Sequence, residues 1–311
     1  MAILSELRYP TTRLAKILSV VLALLLFAVV SVGTVASIVL YQIVRPSKNA
    51  STLDLSLMMG HPSTFSFKLP DGTSREGWFF PGLRGAPTIV ACHGYQSQRG
   101  EVLTLVTALQ DHQYNVFVFD FQGHGSNLAM TTLGYRETGE LKAAIQALSS
   151  RDDVDQKHFG LWGADLGAYA SLEVAMSDPR IGALVLDSPY SDPREMLQIE
   201  VRRSGLAVIP LVERATDIGF RLINYQYRQQ QPATAILPRL KGIPKLFIQA
   251  DDRPELTNIT AQLFGRSPDP KQLVRDHATY SEMSDDDRHN YEDLVLGFFI
   301  QNLSPTGNLT H

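Results

Sequence analysis

Hydrophobic and polar positions along the chain form one long apolar segment near its start, followed by alternating strand and helix patterns. The apolar runs in "APTIVACHGY" and "YNVFVFDFQGHGS" predict buried strands, and "EVLTLVTALQDH" has apolar residues at helical spacing. Strands that alternate with helices form a mostly parallel sheet with helices on both faces. We therefore expect one large α/β domain over residues 61–303.

The long apolar segment predicts a membrane anchor. Residues 17–44 contain 28 positions without a charge, which exceeds the roughly 20 residues that a spanning helix needs. No clear small-residue cleavage site follows, so we expect one uncleaved transmembrane helix that contacts the lipid bilayer. Basic residues are slightly more frequent before the segment than after it. This bias places residues 1–16 in the cytoplasm and the large domain outside the cytoplasm.

The pattern changes in three further places, which set the remaining boundaries. Residues 45–60 form a connector after the anchor, and residues 304–311 form a polar tail that we expect to be disordered. Between residues 191 and 241 the chain has helical patterns with mixed faces. We interpret this part as a small helical cap inserted into the sheet domain.

Composition narrows the classes of function. The formal net charge of −4 provides no basic excess, so a nucleic-acid partner is not expected. Cys92 is the only cysteine, which excludes an internal disulfide. No group of His, Cys, Asp and Glu has the spacing of a metal site, so we expect neither a metal nor a cofactor.

Three stretches carry a resemblance to a known superfamily. In chain order they are "CHGYQSQRGE", "FDFQGHGSN" and "GLWGADLGAYAS", and they are similar to the three loops that build the site of α/β-hydrolases. "ALVLDSPYSD" also resembles the following strand in the monoglyceride-lipase and serine-aminopeptidase-like branch. The resemblance covers roughly residues 60–303. It implies an α/β-hydrolase fold and, as the default of the superfamily, a hydrolase.

The third stretch resembles the nucleophile elbow, with one change. Where the motif G-x-S-x-G has serine, the segment from Gly163 to Gly167 has Asp165. The two glycines let a strand and a helix approach closely. The resemblance implies that the backbone N–H groups of Tyr95 and Leu166 form the oxyanion hole.

Asp165 has two interpretations. In the haloalkane-dehalogenase and epoxide-hydrolase branches an aspartate is the nucleophile, which attacks an alkyl carbon, and a histidine then activates water to hydrolyse the ester. The dehalogenase branch has tryptophan directly after the nucleophile, where this chain has Leu166. Alternatively, aspartate tolerates a positive φ and caps helices well. An elbow that had lost its serine could keep Asp165 for those reasons alone.

The acid of the resembled triad follows the strand in "KLFIQADD". Laid without gaps on the family pattern, its position falls on Arg253, and a deletion of one residue moves it to Asp252. We select Asp252 and keep Asp251 as the alternative. Two acids in a solvated turn are also a common surface feature.

The histidine of the triad is out of register as well. Counting from the last strand places it at Tyr280 or Ser281, and neither is histidine. His277 precedes that position by three or four residues, and His289 follows it by about eight, before the closing helix. Both remain candidates for the base.

Two functions follow from these observations. The first is a membrane-anchored hydrolase that acts on a small apolar substrate. The second is an inactive pseudo-hydrolase, a binding or assembly module at the membrane with a protein partner still to be identified. Three altered triad positions favour the second. We prefer the first because loop register is the feature that sequence counting assigns least well.

Overall fold

The computed structural model describes residues 12–46, 62–127, 129–276 and 278–305. Most of the segment predicted to be cytoplasmic lies outside these ranges, as do most of the predicted connector and most of the predicted tail. The chain divides into two compact units. The first consists of the N-terminal helix up to Ile43 with Leu197–Arg228, and the second of Val44–Met196 with the chain from Gln229 onward.

The described strands are β1 Ser63–Lys68, β2 Ser74–Phe80, β3 Thr88–Cys92, β4 Asn115–Phe119, β5 Phe159–Ala164, β6 Ile181–Asp187, β7 Lys245–Ala250 and β8 Lys271–Asp276. These eight strands form one sheet in the order β1-β2-β4-β3-β5-β6-β7-β8. Pairings β1–β2 and β2–β4 are antiparallel, and all other pairings are parallel. This confirms the mostly parallel sheet that the apolar runs predict.

The described α-helices are α1 Arg13–Val44, α2 Leu103–Asp111, α3 Tyr135–Leu148, α4 Leu166–Ala175, α5 Pro193–Arg203, α6 Pro210–Ile223, α7 Ala233–Ile236, α8 Pro254–Arg266 and α9 Asp285–Asn302. Helices cover both faces of the sheet, as expected. Helices α2 and α9 share one core with its strands, and this core includes the fully buried Trp162. On the other face α4 has all ten of its residues buried, and Phe264 of α8 meets Phe247 of β7 at 5.8 Å between ring centroids.

The N-terminal segment and the inserted region are both helical, as their sequence patterns predict. Helix α1 is long and apolar enough to cross a membrane, by length and composition. The region predicted as a cap contains α5, α6 and α7 with short 3-10 turns between them. Its boundaries as a domain stay a prediction.

The closing helix begins earlier than its apolar pattern indicates. The pattern "YEDLVLGFFIQNL" starts at Tyr291, whereas α9 starts at Asp285. Ser284 caps the helix, because its hydroxyl accepts a hydrogen bond from the Asp287 N–H at 3.2 Å. Acids in the first turn also suit the positive end of the helix dipole. As a result His289 lies inside α9 and not in the loop before it.

Candidate active site

The elbow lies where β5 meets α4. β5 ends at Ala164, α4 begins at Leu166, and Asp165 between them has φ +32° and ψ −93°. A positive φ is uncommon outside glycine, and aspartate is among the residues that tolerate it. The Asp165 N–H donates to the Asp187 carbonyl at 2.8 Å, which joins the turn to β6. Asp165 is buried, with 3% of its surface exposed.

The two elbow glycines make this turn possible by close approach. A Cβ at Gly163 would collide with the backbone of Gly167, and a Cβ at Gly167 would collide with the carbonyl of Cys92. Any larger residue would force α4 away from the ends of β3 and β5. The sequence prediction for these positions therefore has a geometric basis.

The two predicted oxyanion-hole amides converge on one point, and the carboxylate of Asp165 occupies it. The Tyr95 N–H donates to Asp165 Oδ1 at 2.5 Å, and the Leu166 N–H donates to the same oxygen. Backbone N–H groups at a helix N-terminus are a favourable environment for a carboxylate. The whole carboxylate lies close to Gly94, since a Cβ built there would be 2.9 Å from Oδ2 and 3.1 Å from Oδ1.

A narrow cleft with a volume of about 20 Å³ borders Asp165. This is room for about one water molecule and lies far below the volume of a typical ligand pocket. Its walls combine apolar side chains with a few polar ones. Its lining residues are Gly94, Tyr95, Ser97, Glu101, Val102, Trp162, Ala164, Asp165, Arg253, Thr279 and Tyr280.

Asp252, the predicted acid, binds a threonine. Asp252 Oδ2 accepts from the Thr279 N–H at 2.9 Å, and Oδ1 accepts from the Thr279 hydroxyl at 2.8 Å. Arg253 Nε donates to the same hydroxyl at 3.0 Å. Thr279 and Arg253 line the cleft beside Asp165. Asp252 is therefore connected to the cleft through Thr279, and no histidine among the described residues bonds to it.

The two candidate histidines have different surroundings. His289 lies in α9 with 77% of its side chain exposed, and Asp293 is 3.8 Å from its Nε2. His277 lies outside the described residues, two positions before Thr279. The role of each stays a prediction.

Tyr280 occupies a position at which counting expects the histidine. Its hydroxyl meets the Thr104 hydroxyl at 2.6 Å, accepts from the Leu105 N–H at 2.9 Å and donates to Glu292 Oε1 at 2.5 Å. Burial, together with Glu292, raises the pKa of Tyr280 far above its ordinary value. These bonds tie the hydroxyl to α2 and α9 and away from Asp165, although the residue still lines the cleft.

Two buried histidines near the elbow support the neighbouring loops. His93 Nε2 accepts from the Phe121 N–H at 3.0 Å, and His124 Nδ1 lies 3.0 Å from the Gln122 carbonyl. Burial lowers the pKa of both imidazoles to about 4, so they are neutral at neutral pH. In the part of the chain that the structure describes, no three His, Cys, Asp or Glu side chains could hold a metal ion.

Sequence reasoning assigned no site role to two residues that the structure brings to the cleft. The sequence contained a weak indication for Arg253, because the family pattern laid without gaps puts the position of the triad acid there. It contained no indication for Thr279, since a threonine in a loop belongs to no recognisable pattern. Their place becomes visible only when the loops after β7 and β8 are brought together.

Comparison with known sequences agrees with this arrangement. A family model described as "alpha/beta hydrolase fold" matches residues 87–217. An uncharacterized protein of Mycobacterium tuberculosis is 30% identical over 158 residues, which are 48% of this chain and 54% of that protein. The match therefore spans about half the length of that relative. The uncharacterized protein YfhR of Escherichia coli is 24% identical over 249 residues, which cover 77% of this chain and 81% of YfhR.

Solved structures extend the similarity over most of the chain. The esterase Pf2001 of Pyrococcus furiosus has a TM-score of 0.66 at 19% identity, covering 84% of this chain and 98% of the esterase. The α/β hydrolase GrgF of Penicillium sp. has a TM-score of 0.60 at 17% identity, covering 78% of this chain and 99% of GrgF. At such identities a similarity establishes the fold alone. This chain has the α/β-hydrolase fold.

Proposed function

We propose that this chain is a membrane-anchored hydrolase in which Asp165 is the nucleophile. The observation that carries the proposal is that two N–H groups, those of Tyr95 and Leu166, bind the same carboxylate oxygen, Oδ1, beside the cleft. We assign the attack to the other oxygen, Oδ2. The similarity in fold to an esterase supports hydrolysis as the class of reaction, although a shared fold does not fix a function.

The reaction proceeds through an ester on Asp165. Oδ2 attacks a saturated carbon, a C–O bond forms, and the leaving group departs with the electrons of the broken bond. Water then gives a proton to a base and attacks Cγ. Negative charge develops on Oδ1, toward which two N–H groups already point, so little reorganisation is needed. Collapse releases an alkoxide, which takes the proton from the base, and the carboxylic acid left on Asp165 loses its proton to solvent, which regenerates the carboxylate.

His277 is the base in this proposal, in preference to His289. Thr279, two positions after His277, lines the cleft and binds Asp252 through both its N–H and its hydroxyl. The exposed His289 pairs with Asp293 on the surface of α9. Asp252 is then a positioning residue, because it fixes the loop that carries His277.

The substrate in this proposal is small and mainly apolar. The cleft is small, and Val102, Trp162 and Ala164 give it apolar walls beside the carboxylate. Soft alkylating compounds such as halides and epoxides fit a carboxylate nucleophile. An ordinary ester does not, since attack on its carbonyl would give an anhydride.

Mass spectrometry of the intact protein tests the proposal. The full chain is incubated with 1-bromobutane, styrene oxide and p-nitrophenyl acetate, and the modified peptide is sequenced. We expect an alkyl adduct on Asp165 and turnover that falls on the order of 10³-fold or more in Asp165→Ala. Asp152→Asn is the matched control, since its side chain is 91% exposed. Adducts that persist in Asp165→Ala would contradict the assignment.

A second function, an inactive binding module, has specific support. Oδ1 of Asp165 already fills the point where the oxyanion of a bound substrate would lie. Tyr280 holds a position expected for the histidine, with its hydroxyl bound to α2 and α9. A stoichiometric adduct that never hydrolyses, or no adduct with any compound, would favour this function over turnover.

The membrane anchor is part of the proposed function. We propose that α1 spans the bilayer with its N-terminus in the cytoplasm, on the basis of its length and apolar composition. After lysis and a wash at high pH, the full chain is expected to remain in the membrane fraction. Protease added outside sealed cells should degrade the large domain. Recovery of the intact chain in the soluble fraction would contradict the anchor.

A further inference from the structure

Helix α6, which belongs to the same compact unit as α1, has an exposed apolar stripe. The stripe consists of Leu211, Ala215, Ile218 and Leu222, which follow one another at steps of four, three and four residues and so lie on one side of the helix. Leu211, Ile218 and Leu222 expose 59%, 55% and 68% of their surface. A row of exposed apolar side chains marks a contact with another apolar phase or partner.

A different face of α6 packs against α1. Val212, Thr216 and Phe220 are buried. The Thr216 hydroxyl lies 3.5 Å from the Ala36 carbonyl. A Cβ at Gly219 would lie 3.0 Å from the Leu40 side chain, so the two helices are in close contact there.

The length of α1 places this contact at a membrane boundary. At about 1.5 Å per residue its 32 residues are about 48 Å long, whereas the hydrocarbon core of a bilayer is about 30 Å thick. The charge-free sequence begins at Ile17, and about 20 residues later it reaches Ala36. The part of α1 that touches α6, from Ala36 to Leu40, therefore begins where the hydrocarbon ends.

The two faces of α6 point in different directions, so each can meet a different partner. At about 100° per residue, the centre of the apolar stripe lies about a third of a turn from the centre of the buried face formed by Val212, Thr216 and Phe220. The buried face can therefore pack against α1 while the stripe stays available to lipid.

The charged residues of α6 are arranged as in a helix that lies at a membrane surface. Arg214 and Arg221 border the apolar stripe, while Glu213 and Asp217 lie on the side away from it. Arginines beside an apolar face are typical of helices that lie in the lipid headgroups. With four charges in fourteen residues, α6 is unsuited to crossing the bilayer itself.

We infer that α6 is a second membrane-contacting element, which lies in the bilayer interface with its apolar stripe against lipid. The inference rests on the proposed anchor α1 and is independent of the hydrolase activity. Val208, which is 83% exposed, extends the apolar surface before the helix, and Tyr225, which is 60% exposed, extends it after the helix. An aromatic residue at such a position is typical of a membrane–water interface.

Site-directed fluorescence quenching tests the inference on the full chain. The native Cys92 is fully buried, so labels go to introduced cysteines. Ile218→Cys and Leu222→Cys report on α6, Leu25→Cys on α1, and Asp152→Cys on the aqueous surface. Each variant is labelled with an environment-sensitive fluorophore in vesicles of phosphatidylcholine and phosphatidylglycerol. Quenching is compared between lipids with brominated chains and aqueous iodide.

We expect the labels at 218, 222 and 25 to lose most of their fluorescence to brominated lipid, and the label at 152 to lose it to iodide. A label at 25 that is insensitive to lipid would overturn the anchor and the inference together. Lipid quenching at 25 with iodide quenching at 218 and 222 would overturn the inference alone. Protection of 218 and 222 from both quenchers in a dimeric protein would assign the stripe to a second copy and also overturn it.

Discussion

The elbow and the loops that face it are built on different principles. The elbow is fixed by backbone: Gly163 and Gly167 allow β5 and α4 to approach, and two N–H groups hold Asp165. The facing loops are fixed by side chains: Thr279 binds Asp252 and Arg253. Backbone geometry leaves little choice of residue, whereas side-chain partners can be exchanged. The first region is therefore constrained by the chain path itself, and the second by individual side-chain contacts.

The largest effect is expected from the glycines of the elbow. Gly167→Ala would place Cβ against the backbone carbonyl of Cys92, which cannot move without distorting β3. We expect a loss of about 4 kcal/mol or more in the free energy of unfolding, measured by denaturant titration in detergent. Gly297→Ala in α9 is the matched control, because nothing lies within 4 Å of its Cβ. The control should be neutral or slightly stabilising. Equal effects in both variants would contradict the close approach.

The next effect concerns the buried Glu140 on α3 and depends on pH. Burial, then the neighbouring Glu137, raises the pKa of Glu140 to about 7 from an ordinary 4.5. The folded state therefore holds a proton that the unfolded state loses, and stability falls as the pH rises from about 4.5 to 7. Glu140→Gln keeps an acceptor for the Gln122 N–H, which Glu140 binds at 2.8 Å. Relative to the parent, the variant should gain up to about 3 kcal/mol over this window.

The measurement is the free energy of unfolding of both proteins at several pH values. Glu76→Gln, whose parent side chain is an exposed carboxylate on β2, is a suitable control. A constant difference between Glu140→Gln and the parent from pH 4.5 to pH 8 would show that Glu140 does not titrate in this way.

A smaller effect, at Tyr280, distinguishes a structural role in the facing loops from a role in the reaction. Tyr280→Phe removes a hydroxyl that three groups share, so we expect a loss of about 2 kcal/mol in stability. Adduct formation on Asp165 should continue at a similar rate. Tyr225→Phe, at an exposed position, should change neither property. If Tyr280→Phe kept full stability but formed no adduct, Tyr280 would take part in the reaction itself.

The smallest effect on stability is expected at Thr279. Thr279→Val removes one of the two bonds to Asp252 and should cost about 1 kcal/mol in the free energy of unfolding. If the loop positions His277, hydrolysis of the ester should slow more than its formation, in a single-turnover measurement. Thr279→Ser should restore both values. Equal slowing of both steps would contradict a role confined to the base.

The sheet, the helices on both of its faces and the elbow could be predicted from the sequence for a physical reason. Buried strands require continuous apolar runs, and the close approach of β5 and α4 requires glycine at two fixed positions. These constraints appear as patterns in one chain. The positions of the convergent amides also followed from the resemblance.

The facing loops could not be predicted in the same way. Contacts such as Asp252–Thr279 join residues that no periodicity connects. Counting placed the histidine at Tyr280 or Ser281, but no rule predicts that the Tyr280 hydroxyl binds α2 and α9. The early start of α9 at Asp285, after the cap at Ser284, also places His289 inside a helix. An apolar pattern marks where a helix is buried and leaves its capped first turn unmarked.

A single turnover in water enriched with heavy oxygen tests the central claim most directly. The protein, in excess over an alkyl halide or epoxide, is digested after the reaction, and the mass of the peptide that contains Asp165 and the mass of the released alcohol are measured by mass spectrometry. If water attacks Cγ of an Asp165 ester, the peptide carries one heavy oxygen and the first alcohol released carries none. Heavy oxygen in the alcohol, with an unchanged peptide, would mean that water attacks the substrate directly and that Asp165 is not the nucleophile.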